Sequence, residues 1–237
     1  PRPAESFRNA MAEAAITKQH VEALMRDSYV IIDGAFTQEM ARSVVQGAGK
    51  MRSNGKLSIV AEQWSSGRQD EIMVMDTWDP EWGEIPLEFQ GVNDACSLLK
   101  GVAEAVSRHV PEGHEWARLS APAFMQLAVY GESGNMYVRH LDNDILDEAG
   151  REGPPGLRIC DRVVTALIYF NEGWEEKDGG YLRVYSPEEG KQEEVVGEFA
   201  PIAGRLVLFD SKKVFHEVLP SFKTRWALSA WMTDHIK

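Results

Sequence analysis

Apolar residues recur at helical spacing in the first part of the chain and at strand spacing in the second, with the change near Pro111. Thr17 precedes Val21, Leu24 and Met25, which share one face of a helix over 18–26. A Thr at that place offers its hydroxyl to an otherwise unpaired N–H of the first turn. Tyr29–Ile32 is a short apolar run of strand character. Thr37 again precedes a helical pattern, over 38–50, with Met40, Val44 and Val45 inward. Glu71–Trp78 alternates as a strand does, and Leu98, Leu99, Val102 and Val106 mark a long helix over 87–109.

Beyond Pro111 the periodicity is that of strands and turns. Candidate strands are Phe124–Tyr130, Tyr137–Leu141, Val163–Phe170, Tyr181–Tyr185, Glu193–Val196, Arg205–Phe209, Val214–Val218 and Arg225–Thr233. Gly131, Gly134, Gly179-Gly180 and Gly204 punctuate them. Short strands with no helices between them predict a mainly β fold with supporting helices: a double-stranded β-helix, or jelly-roll, core braced from outside by the N-terminal helices. Nothing near Pro111 reads as a flexible linker. The chain is therefore expected to be a single domain over 1–237, with a support region over 1–119 and the core over 120–237. The stretch 143–161 has no period, holds Gly150, Gly153, Pro154, Pro155 and Gly156, and reads as a long surface loop.

Composition narrows the function classes. The net charge is −12, and an acidic surface repels phosphate backbones, so nucleic acid is not expected as a general partner. No apolar run approaches the ~20 residues that span a bilayer, and PRPAESFRNA contains no apolar signal segment, so no membrane association is expected. Cys96 and Cys160 are too few for a disulfide framework, which points to a reducing compartment: cytoplasm or nucleus. Met73, Met75, Trp64, Trp78 and Trp82 read as packing residues rather than a binding surface.

YVRHLDN contains His140 and Asp142 two residues apart. With 6 histidines and 37 acidic residues in 237, about one His-x-acid triplet arises by chance, so the triplet alone carries little. On a strand, however, residues i and i+2 face the same side and reach one ion together. A third donor must come from elsewhere. His20, His109 and His114 fall in the helical part or its exit and His235 near the end, whereas His216 lies in the strand-like VFHEV. Two histidines and one carboxylate form the facial triad of non-haem Fe(II) oxygenases; catalytic zinc accepts the same donors. Arg225 favours iron. It follows His216 by nine residues, across a plausible turn at Pro220-Ser221, where its fork would grip the far carboxylate of an iron-chelating keto acid.

YVRHLDN, RVVTALIYFN, GGYLRVY, FHEV and TRWALSAW, in that order, resemble the 2-oxoglutarate-dependent dioxygenases. Within them the chain resembles the hypoxia-inducible-factor prolyl hydroxylases and their protist and bacterial relatives, and GRQDEIMV resembles the mobile loop and strand ahead of their core. The resemblance is clear over 120–234 and weaker over 17–119. It implies Fe(II) on His140, Asp142 and His216, with 2-oxoglutarate and O2 as co-substrates and ascorbate as reductant. Arg225 and Tyr169 would hold the far carboxylate of 2-oxoglutarate. Thr165, Leu167, Leu182 and Val218 would line its pocket, with Trp231 at the border. Tyr130 would stand near the iron, Tyr137 would line the substrate approach, and Asp70 would pair with Arg162. The implied reaction is 4-hydroxylation of proline in a cytoplasmic or nuclear protein, serving oxygen sensing, by a monomeric enzyme. Candidate partners are a hypoxia-inducible transcription factor, a ubiquitin-ligase adaptor or an elongation factor. The loop over 143–161 is longer than in the animal enzymes and borders the substrate groove, where it bears on which substrate is taken. Two alternative readings stand beside this one: a 2-oxoglutarate oxygenase acting on another residue or small molecule, and a non-catalytic metal- or oxygen-binding module.

Overall fold

The computed structural model of the protein describes residues 10–59, 67–76, 87–143 and 162–234. The loop expected over 143–161 lies outside these residues except for Asn143, as do Trp64, Trp78, Trp82, Cys160 and His235.

Both predicted helix starts are capped as the sequence implies. Helix α1 is Lys18–Asp27, and the Thr17 hydroxyl accepts the His20 N–H at 3.4 Å while His20 Nδ1 accepts the Thr17 N–H at 3.2 Å. Helix α2 is Gln38–Ser53, with the Thr37 hydroxyl accepting the Met40 N–H at 3.2 Å. Helix α3, Gln90–Ser107, follows one 3₁₀ turn at Leu87–Phe89. Gly91 lets α3 press against α2: a Cβ there would lie 2.5 Å from the backbone of Ser43 and Val44.

The strands are β1 (Tyr29–Ile32), β2 (Ser58–Ile59), β3 (Glu71–Asp76), β4 (Leu119–Ser120), β5 (Phe124–Tyr130) and β6 (Asn135–His140). They continue with β7 (Arg162–Tyr169), β8 (Leu182–Tyr185), β9 (Val195–Phe199), β10 (Leu206–Asp210), β11 (His216–Ser221) and β12 (Arg225–Asp234). They form two antiparallel sheets, a jelly-roll arrangement. The major sheet runs β1-β10-β7-β12-β5-β3-β2, with β4 beside β12; the minor sheet runs β6-β11-β8-β9.

Strand pleating sorts the central strands into two faces. Val164, Ala166 and Ile168 of β7, Leu206 and Leu208 of β10, and Leu228, Ala230 and Met232 of β12 join the helices in one large buried cluster. Their neighbours in sequence point the other way. Tyr169, Val207, Phe209 and Ala227 pack with Leu182 and Val184 of the minor sheet. Both faces of these strands are buried, so LVLF reads as a continuous apolar run rather than an alternation.

Boundaries differ from expectation where turns take apolar or charged residues. Strand β11 begins at His216, not Val214, because the Lys213 and Val214 amides turn back onto the Asp210 carbonyl at 3.3 and 3.1 Å. Strand β9 begins at Val195 rather than Glu193, because the Glu194 amide closes a turn onto Lys191 at 2.9 Å.

Candidate active site

The register of the minor sheet brings the two histidines together. His216 pairs directly with His140 across β11 and β6, and their ring centroids lie 4.2 Å apart. His140 Nδ1 lies 2.8 Å from the Val138 carbonyl and His216 Nδ1 lies 3.2 Å from the Val214 carbonyl. A carbonyl only accepts, so both Nδ1 atoms donate, and in the neutral tautomer this leaves the lone pair on Nε2. Those Nε2 atoms face one oxygen of Asp142: Oδ1 is 3.6 Å from His140 and 3.8 Å from His216. One donor atom from each of the three residues lies within 4.8 Å of the other two.

The charge states suit a divalent cation. Burial opposes ionisation of Asp142, but His216 and His140, with Arg162, outweigh it and hold the carboxyl well below the usual carboxylate range. Burial, then the neighbouring His140, pushes the His216 imidazole down to about 4, so it stays neutral with a lone pair to give. Neutral imidazole beside anionic carboxylate is the donor set that Fe(II) takes.

A cavity of about 110 Å³ opens from the three donors between the two sheets, with Arg225 on its wall. Arg225 is 2% exposed. Its Nε donates to the Gly180 carbonyl at 2.8 Å, and its guanidinium carbon lies 4.9 Å from the ring centroids of both Tyr130 and Tyr169. It has no carboxylate partner among the described residues. A buried cation left so is costly unless an anion meets it. Tyr169 Oη and Trp231 Nε1 are buried and have no hydrogen-bond partner among the described residues. Burial raises the Tyr169 phenol above its ordinary value despite Arg225 nearby, so it remains a neutral donor. A buried guanidinium flanked by an unpaired hydroxyl fits the distal carboxylate of 2-oxoglutarate.

The other candidates fall into place around this wall. Leu167, Leu182, Val218, Tyr130, Tyr137 and Trp231 border the cavity. Tyr137 stacks on His140 with centroids 3.8 Å apart, and the Arg68 guanidinium stands 4.9 Å from its ring centroid. Thr165 does not border the cavity: its hydroxyl is held behind Asp142, donating to Oδ2 at 2.7 Å. The expected Asp70–Arg162 pair does not form. Asp70 is gripped at 2.6 and 2.8 Å by Arg68, two residues away on the same side of an extended segment. Arg162 instead stacks 3.9 Å from the Trp231 ring and donates to the Asp142 carbonyl at 3.3 Å.

Sequence reasoning missed Arg68, Gln126 and Ser229 as cavity residues. The signal for the last two was present, since Gln126 shares the inward face of β5 with Tyr130, and Ser229 that of β12 with Arg225 and Trp231. Arg68 gave no periodic signal.

Comparison with known proteins gives this fold and site a class. Residues 125–233 match the family model of the 2OG-Fe(II) oxygenase superfamily, whose description carries the Fe(II) and 2-oxoglutarate that this site's donors and buried Arg225 fit. Within that class the chain is homologous to the hypoxia-inducible-factor prolyl hydroxylases. It is 37% identical to mouse prolyl hydroxylase EGLN3 over 110 residues, 46% of this chain and 39% of that protein. It is 34% identical to human Egl nine homolog 1 over 222 residues, 90% of this chain and 46% of that protein. The chain thus spans less than half the length of either curated relative. Two solved structures share the fold. A Pseudomonas putida prolyl-4-hydroxylase has a TM-score of 0.68 at 24% identity, covering 92% of this chain and 98% of that one. A Trichoplax adhaerens prolyl hydroxylase, solved with a hypoxia-inducible-factor peptide, has a TM-score of 0.70 at 22% identity, covering 99% and 94%.

Proposed function

We propose that the protein is a 2-oxoglutarate- and Fe(II)-dependent prolyl 4-hydroxylase acting on a protein substrate. The observation that carries this reading is the convergence of His140 Nε2, Asp142 Oδ1 and His216 Nε2 opposite a buried Arg225 that lacks a carboxylate partner among the described residues. Fe(II), when bound, supplies the redox chemistry that spends O2 on 2-oxoglutarate and on a substrate C–H bond. The chain's own residues do the rest. His140, Asp142 and His216 would hold the ion. Arg225 and Tyr169 orient the co-substrate by its distal carboxylate. Leu167, Leu182 and Val218 exclude water from its aliphatic part. Tyr137, stacked on His140, and Tyr130 form the side facing an incoming proline.

A hypoxia-inducible-factor-like protein is the substrate that the relatives' names support, since one is named a hypoxia-inducible factor prolyl hydroxylase and another is solved with a hypoxia-inducible-factor peptide; a ubiquitin-ligase adaptor and an elongation factor rest on the sequence resemblance alone. We read the chain as one domain over 1–237, supported by the buried cluster that helices and major sheet share, and as a monomer. We read its location as cytoplasm or nucleus, supported by the free thiol of Cys96. No helix among the described residues is long and apolar enough to cross a membrane.

The test is turnover of purified protein with Fe(II), ascorbate, 2-oxoglutarate, O2 and proline-containing peptides from the three protein classes. Succinate release coupled to a 4-hydroxyproline mapped by mass spectrometry is the expected result. Turnover with oxygen placed on another residue would redirect the reading. Full activity in Asp142→Ala would remove the metal assignment.

A further inference from the structure

The geometry points to Thr165 and Ser211 as positioning residues that fix Asp142 in one-oxygen coordination and so keep room at the ion for 2-oxoglutarate. This rests on the reading of His140, Asp142 and His216 as the metal centre. The two oxygens of Asp142 have different surroundings. Oδ1 faces the two Nε2 atoms at 3.6 and 3.8 Å. Oδ2 faces away from them, bonded to Thr165 Oγ1 at 2.7 Å, and that hydroxyl in turn lies 2.8 Å from Ser211 Oγ. Thr165 and Ser211 are each 0% exposed.

Proton counting sets the direction of the chain. An ionised carboxylate only accepts, so the single hydroxyl proton of Thr165 goes to Asp142 Oδ2. Thr165 Oγ1 then has only lone pairs to offer, and Ser211 must donate to it. Ser211 is itself pinned: its amide donates to the Val163 carbonyl at 3.0 Å, and its carbonyl accepts the Asn143 amide at 2.9 Å. Thr165 stands on β7, between β10 and β12 in the middle of the major sheet. The relay therefore ties a ligand that follows β6, an edge strand of the minor sheet, to the most deeply buried strands of the other sheet.

The consequence is specific to the co-substrate. Three protein donors leave three positions on a six-coordinate ion, and a keto acid that chelates takes two of them. If Oδ2 swung onto the ion, Asp142 would occupy a position the co-substrate needs. The Thr165 hydrogen bond holds Oδ2 off. Losing it leaves a carboxylate still able to bind metal, now through both oxygens.

The test uses the full chain, Co(II) as the metal probe, and calorimetry in the absence of turnover. Co(II) is titrated into metal-free protein, then 2-oxoglutarate into the Co(II) form. Thr165→Val is expected to keep Co(II) affinity within about threefold while 2-oxoglutarate binds at least about tenfold more weakly. Thr165→Ser, which restores the hydroxyl, is expected to return 2-oxoglutarate affinity toward the wild-type value. Ser211→Ala, which frees Thr165 to rotate, is expected to show the same split in smaller degree, and it decides the matter if Thr165→Val does not fold. A merely structural role would weaken metal and co-substrate together. That parallel loss, or wild-type 2-oxoglutarate affinity in both Thr165→Val and Ser211→Ala, overturns the inference and leaves the metal centre standing. Failure of the wild-type protein to bind one Co(II) removes the metal centre and the inference with it.

Discussion

Truncating Arg225 removes the only buried guanidinium that faces the cavity without a carboxylate partner among the described residues. Arg225→Ala is expected to weaken 2-oxoglutarate binding by about 2–3 kcal/mol, roughly 30- to 150-fold in Kd, the range for a charge-assisted hydrogen bond. Metal affinity should be unchanged, because Arg225 is not among the grouped donor residues. Titrating 2-oxoglutarate into metal-loaded protein reads both, and an unaltered Kd would remove Arg225 from the site. Residues of this kind were legible in the sequence because their chemistry is uncommon. A His-x-Asp, a distant His and a following Arg in fixed order are hard to explain as surface decoration. Partners reached only by folding were not legible. Asp70 pairs with Arg68, two residues earlier in the chain, rather than with Arg162. Ser211, two residues past a buried run, carried no signal of its own; it became informative only with Thr165 beside it at 2.8 Å.

At the scale of elements, the segment 67–69 acts as a strap along β6. The Val138 amide donates to the Gly67 carbonyl at 2.9 Å, and the Gln69 amide donates to the Met136 carbonyl at 3.1 Å. Glycine is required at the crossing, since a Cβ on Gly67 would sit 2.0 Å from Cγ2 of Val138, a β-branched side chain with little rotamer freedom. Gly67→Ala is therefore expected to lift the strap and carry Arg68 away from Tyr137. Amide hydrogen exchange at Val138 should speed up by an order of magnitude or more while β7 and β12 keep their protection. Unchanged exchange at Val138 would contradict this. Most elements were visible beforehand: β1 and β5 fall on their predicted bounds, and the helices were marked by Thr caps and apolar spacing. The two-residue strands β2 and β4 were not, since a period cannot be read from two positions. The extra residues at the start of β6 were hidden because Asn135 joins through its pairing with Ser221 rather than through an apolar pattern.

For the whole molecule, the site lies between two sheets that are otherwise closed over apolar residues, so occupancy and global stability are linked. At a hundredfold excess over Kd, a ligand that binds only the folded state stabilises it by about 2.7 kcal/mol. For a chain of this size that corresponds to a rise of roughly 5–10 °C in Tm. Metal with 2-oxoglutarate should produce that rise in the wild-type protein, a chelator should reverse it, and His216→Ala should show none of it. A metal-independent rise with 2-oxoglutarate alone would mean that the co-substrate binds elsewhere. The architecture was legible at this scale, because helices followed by uninterrupted strands leave few alternatives to a braced jelly roll. The pairing of β11 with β6 was not, since no local pattern says which distant strands share a register.

The central claim is geometric: His140, Asp142 and His216 hold one iron, and Arg225 holds the far end of 2-oxoglutarate. Anomalous diffraction at the iron edge, from crystals grown anaerobically with Fe(II) and 2-oxoglutarate, measures it directly. The account predicts one iron peak bonded to His140 Nε2, to Asp142 through Oδ1 alone and to His216 Nε2, with the co-substrate carboxylate forked by Arg225. An iron peak away from these three donors, or 2-oxoglutarate bound without contact to Arg225, would contradict it.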